Sequence, residues 1–117
     1  MRYFKLSEFD SPDDAGSGAK MNASFLAKLD IARREAGIPF VINSGYRTPE
    51  QNKKVGGKKD SSHLVGLACD IKCKDSRSRH RIICALIRVG FNRIGIANTF
   101  IHVDDDKQKP SELVWLY

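Results

Sequence analysis

The sequence predicts an α+β fold, a small and mostly antiparallel sheet with two longer helices packed on it. Two stretches, residues 22–36 and 75–89, carry apolar residues at helical spacing. The short apolar runs between and after them lie too close in sequence for repeated βαβ crossovers. At 117 residues, 41% hydrophobic and 29% charged, the chain reads as one globular domain, 1–117, and not as a disordered segment or a repeat array. No apolar run approaches the ~18–20 residues that cross a bilayer, so no membrane insertion is expected.

Met1 to Asp10 alternates apolar and polar residues, and residues 1–19 read as an N-terminal strand and loop extension. Within it, Asp10 to Gly18 is rich in turn formers and reads as a surface loop. The start lacks the apolar h-region of a signal peptide, so Sec-type export is not expected. Asn22 or Ser24 can cap the first long helix, whose Phe25, Leu29, Ala32 and Ala36 follow helical spacing; Gly37 stops it. Pro39–Ser44 reads as a short buried strand. Thr48, Pro49 and Gln51 make a helix start, with a cap, a proline at the first helical position and a capping-box glutamine. That helix ends by Gly56–Gly57, and a polar loop, Lys58–Ser62, leads to a strand at Leu67–Lys72. Asp75 or Ser76 caps the second long helix, striped by Ile82, Ile83, Leu86 and Val89 and closed by Gly90. Phe100–Asp104 and Leu113–Leu116 are two further strands.

Twenty Lys and Arg against fourteen Asp and Glu give a net charge of +6. The balance favours anionic partners: nucleic acid, acidic lipid or the anionic polymers of a bacterial envelope. The clusters at Lys53, Lys54, Lys58, Lys59 and at Arg77, Arg79, Arg81 carry no nucleic-acid motif. No specific nucleic acid is therefore expected, and a solvated face also accounts for them. Cys69, Cys73 and Cys84 form no CxxC pair and no even framework. Cys69 and Cys73 would stand about 13 Å apart along a strand, too far to bridge. Buried reduced thiols are expected, with a cysteine nucleophile as the alternative.

His63 lies at a loop edge, Asp70 in the following strand, and Gly66 permits a turn that lets them converge. In Phe100–Asp104, alternation puts Phe100, His102 and Asp104 on one face while Ile101 and Val103 enter the core. Two His and one carboxylate suit zinc and leave a coordination position open. The spacing has a plain reading as well, a strand histidine satisfied within a core. His80, between Arg79 and Arg81, reads as a surface residue.

Three segments occur in order: Ser44-Gly45-Tyr46-Arg47-Thr48-Pro49, then Ser62-His63-Leu64-Val65-Gly66-Leu67-Ala68-Cys69-Asp70, then Phe100-Ile101-His102-Val103-Asp104. Over about residues 20 to 117 the chain thereby resembles the zinc D-alanyl-D-alanine carboxypeptidase-like peptidases. That family includes cell-wall carboxypeptidases, D,D-dipeptidases and peptidoglycan endopeptidases such as phage endolysins, and it shares the fold of the Hedgehog signalling domain. The resemblance implies Zn2+ held by His63, Asp70 and His102, and hydrolysis of peptidoglycan peptides by metal-activated water. It implies action at the bacterial cell wall, by a phage lysin or virion component or by a bacterial protein exported by another route. A monomer is expected.

By the same resemblance, Arg47 pairs with a substrate carboxylate or with the oxyanion, and a surface ion pair is its plain alternative. Ser62 and Gln51 are candidates for the same cleft, although a loop position and a capping box also account for them. One departure stands out. Members with a Glu-x-x-His motif carry their general base three residues before the last histidine, where this chain has Thr99. Asp104 is the nearest carboxylate, either as general base or as the group that orients His102. A module that keeps the metal without turnover is the alternative function.

Overall fold

Three α-helices and five strands build the chain, described over residues 1–117 in a computed structural model. In chain order they are α1 (Ala23–Ala36), β1 (Ile42–Ser44), α2 (Pro49–Lys54), β2 (Ala68–Lys72), α3 (Ser76–Arg88), β3 (Arg93–Ile96), β4 (Phe100–Asp104) and β5 (Leu113–Leu116). Asn22 caps α1 by accepting the Phe25 N–H at 2.9 Å, and Gly37 ends it at φ 69°. Asp75 caps α3 in the same way through the Ser78 N–H, 2.8 Å away. The sheet runs β1-β2-β4-β3-β5, antiparallel throughout except for β3 beside β5. No helix is long and apolar enough to cross a membrane.

Four local expectations differ from the structure. The short buried strand expected over Pro39–Ser44 is only Ile42–Ser44 and is not buried, because β1 is an edge strand of the sheet. The strand β3 was not among those predicted, because its Arg93-Ile94-Gly95-Ile96 offers only two apolar residues around a glycine. The glycine has a tertiary reason: a Cβ at Gly95 would lie 2.6 Å from the indole nitrogen of Trp115 on β5. At the N-terminus there is no strand but two 3-10 turns, Leu6–Phe9 and Ser17–Lys20. Phe4 and Phe9 are both buried in the core, with ring centroids 5.3 Å apart. Residues five apart on a strand would point to opposite faces, so a turn is what lets both rings enter. The Asp10–Gly18 stretch is likewise not a loose surface loop. Ser11 and Ser17 are buried, and the Asp10 carboxylate accepts the N–H groups of Gly16 and Gly18.

One hydrophobic cluster joins these pieces, with Phe9, Leu29, Leu86, Ile94, Ile101 and Val103 among its 19 members. The helices cover the sheet face to which Ile71, Ile101 and Val103 point. Alternation sends Asp70, His102 and Asp104 to the other face, and antiparallel register sets Asp70 directly opposite His102. Cys69 belongs to the core side, and burial pushes its thiol well above the usual range, so it is no nucleophile. All three cysteines are free; Cys69 and Cys73 are buried as expected, whereas Cys84 on α3 is only partly buried.

Candidate metal centre

His63 is carried by a 3-10 turn, Ser62–Val65, whose cap Ser61 accepts the His63 N–H. Gly66 closes the turn at φ 71° and redirects the chain into β2. A Cβ at Gly66 would run into the Lys20 carbonyl, so the turn accepts no larger residue there. The ligand atoms of His63, Asp70 and His102 lie within 4.8 Å of one another, and all three residues are buried.

Hydrogen bonds on the far side of each ring decide which nitrogen is free. His63 Nδ1 is 2.8 Å from the Gly45 carbonyl, which can only accept, so Nδ1 carries the proton and Nε2 keeps its lone pair. That Nε2 is 3.3 Å from Asp70 Oδ1. His102 Nε2 is 2.7 Å from Asp104 Oδ2, which leaves Nδ1, 2.9 Å from the same Asp70 oxygen, as the free donor atom. Both lone pairs and the Asp70 carboxylate therefore turn toward one another, as a three-ligand metal centre requires. Gly45 is itself tied down: Tyr46 donates to the Phe9 carbonyl at 2.9 Å, and a Cβ on Gly45 would meet Phe9 Cα at 2.7 Å. The N-terminal turns thus help hold the acceptor that orients His63.

Burial works against ionisation of Asp70, yet in metal-free protein, where the facing His102 and His63 nitrogens can carry protons instead of ligating, hydrogen bonds from them hold its carboxyl far below the usual range. Burial likewise disfavours a charged His102, but Asp104 and Asp70 together raise its pKa above the ordinary 6.5. In metal-stripped protein, a raised imidazole pKa contributes stability that is present below pH 6.5 and is lost as pH rises through the folded value. Thermal melts in a chelator should accordingly show a lower midpoint at pH 8.5 than at pH 6. A flat profile over that window would mean that His102 is not charged between its carboxylates.

Asp104 is only 2% exposed. Its Oδ1 accepts Arg93 Nε at 2.6 Å, while Oδ2 faces His102. Arg93 also donates to the Pro110 carbonyl, and its guanidinium lies 5.1 Å from the Trp115 ring centre. Sequence reasoning missed Arg93 along with its strand. The one signal was the Ile94/Ile96 alternation, which puts Arg93 and Gly95 on the site face.

Arg47 is not a surface ion pair. Its Nε donates to Ser44 Oγ (2.9 Å), Nη1 to Asn52 Oδ1 (3.2 Å) and Nη2 to Asp70 Oδ2 (3.4 Å). Gln51 does not line the cleft. Thr48 caps α2 by accepting the Gln51 N–H, and it is the next residue, buried Asn52, that reaches Arg47. Ser62 does line the cleft, but its hydroxyl donates to Asp106 (2.8 Å) and accepts from Lys109 (2.9 Å). Those bonds pin the segment after β4 against the His63 turn. His80 is exposed on α3, away from the cleft.

The three candidate ligands and Arg47 sit in a cleft of about 690 Å³, walled on one side by Phe100, Trp115 and Tyr117. A His–Asp–His donor set on the open face of an α+β sheet, beside a fixed guanidinium, has the chemistry of a three-ligand zinc centre with a position left open. The model of one family, Peptidase M15, matches residues 2–104, and the chain belongs to that family of zinc D-Ala-D-Ala carboxypeptidase-like metallopeptidases. The match takes in the N-terminal turns, where the sequence motifs suggested a start near residue 20, and it ends at Asp104 before β5. No curated protein matched the chain.

Proposed function

We propose that the chain hydrolyses stem or cross-link peptides of peptidoglycan, as a D,D-carboxypeptidase or endopeptidase, with zinc held by His63, Asp70 and His102. The observation that carries this reading is the convergence of both histidine lone pairs on Asp70, with Arg47 in the same cleft. Zinc, when bound, supplies Lewis acidity and lowers the pKa of water toward neutrality. Gly45 and Asp104 hold the two imidazoles in the tautomers that binding needs. Ser44 and Asn52 hold the Arg47 fork so that it can take a peptide carboxylate or the carbonyl oxygen on which charge develops.

Of the two roles open to Asp104, its placement supports orientation of His102. The carboxylate lies on the far side of that ring from the donor cluster, with both oxygens engaged. One observation favours a second reading, a module that keeps the metal without turnover: Thr99 stands where related peptidases carry a glutamate.

Purified peptidoglycan incubated with zinc-loaded and chelator-treated protein separates the two. Zinc-dependent release of new amino groups is expected, and mass spectrometry of the muropeptides names the bond. No release above the chelated control would overturn hydrolysis and leave the binding module. On the same substrate, Arg47→Lys should keep its zinc and fold yet lose on the order of 10²-fold in kcat/KM, because a point charge does not replace a planar fork. An unchanged rate would reduce Arg47 to a brace for Asp70.

A further inference from the structure

One of the chain's two basic clusters lies on and just before helix α3, and α3 itself is away from the cleft. Helix α3 and the residues leading into it carry Lys72, Lys74, Arg77, Arg79, Arg81 and Arg88 against a single acid, Asp75. That acid is occupied in capping the helix. None of the six cations forms an ion pair within the protein, whereas Arg47 and Arg93 in the cleft are each tied to a carboxylate. Ile82, Ala85 and Leu86 turn α3 toward the core, and the exposed Arg77, Arg81 and Arg88 share one stripe that flanks this buried face. They lie four and then seven residues apart, spanning about 16 Å at helical rise. The sheet stands between them and Asp70 and His102, and no α3 residue lines the cleft.

We propose that this face of α3 docks a linear polyanion of the cell wall, a polyol-phosphate polymer, and holds the molecule there while the opposite cleft stays free for peptide. Guanidinium groups pair bidentately with phosphate oxygens, and a row of them without internal partners releases counterions on binding. The segment from Lys72 to Val89 holds no Phe, Tyr or Trp, so it offers no platform on which the bases of a single-stranded nucleic acid could stack. The choice of a wall polymer over other polyphosphates rests on the peptidoglycan reading above.

The test uses the full chain and its R77Q/R81Q/R88Q variant, with poly(glycerol phosphate) as the probe over a range of salt. The wild type should bind in a salt-dependent manner. The variant should bind roughly 10-fold more weakly or worse, with a log–log salt slope shallower by about 2. Zinc content and hydrolysis of soluble muropeptides should not change, since the face does not touch the cleft. Equal affinity of variant and wild type would overturn the proposal, and so would equal or tighter binding of duplex DNA of matched phosphate count. Polymer binding is read without turnover: an active protein that fails to bind removes this inference alone, and an inactive one that binds removes only the hydrolytic reading.

Discussion

Replacement of His102 by Ala is expected to strip most of the zinc from the protein and, with it, peptide hydrolysis. Three protein ligands leave no redundancy, so a centre deprived of one holds the metal by only two groups. The variant should still fold, because Asp104 keeps Arg93 and Asp70 keeps His63 and Arg47. Elemental analysis after desalting gives the zinc content directly. Thermal melting gives a second reading: with free zinc at 100 times Kd, binding stabilises the native state by about 2.7 kcal/mol. A chelator should therefore lower the midpoint of the wild type and leave that of His102→Ala unmoved. Full zinc content in His102→Ala would sink the proposed ligand set.

Asp104→Asn should have two separable consequences. The first is on stability. Arg93 is buried and Asp104 is its one carboxylate partner, so neutralising Asp104 leaves an uncompensated buried charge, at about 3–5 kcal/mol. The second is on the metal. An amide oxygen still accepts from His102 Nε2, but without its charge the support weakens, and zinc affinity should fall roughly 10- to 100-fold. The double variant Arg93→Gln/Asp104→Asn separates them, because removing both charges should recover much of the stability and none of the zinc affinity. Normal zinc binding with a large loss of rate would instead assign Asp104 as the general base. Normal zinc and normal turnover together would eliminate both roles.

Much of this architecture is local in origin and was legible in the chain. Asn22, Thr48 and Asp75 cap helices through bonds that close within three residues, so residue type and spacing suffice to place them. Strand alternation sorts His102 and Asp104 from Ile101 and Val103 in the same way, and β4 and β5 lie where their runs of β-formers predict. The motifs around Arg47, His63 and His102 pointed to the family whose model matches residues 2–104.

Other features depend on residues brought together from distant parts of the chain, and no window of sequence contains them. The free nitrogen of His63 is decided by the carbonyl of Gly45, eighteen residues away, and that of His102 by a carboxylate whose other oxygen Arg93 holds. Arg93 lies on a four-residue strand whose alternation rests on Ile94 and Ile96 alone, too little to mark a strand, and Gly95 makes sense only with Trp115 against it. Gln51, a candidate for the cleft, does not line it, and its neighbour Asn52 meets Arg47 because helix direction, not composition, decides which of two adjacent amides turns inward. The residue types alone specified a capacity for metal chemistry; the register of β2 against β4 and the packing of Phe9 on Gly45 decided how those residues converge.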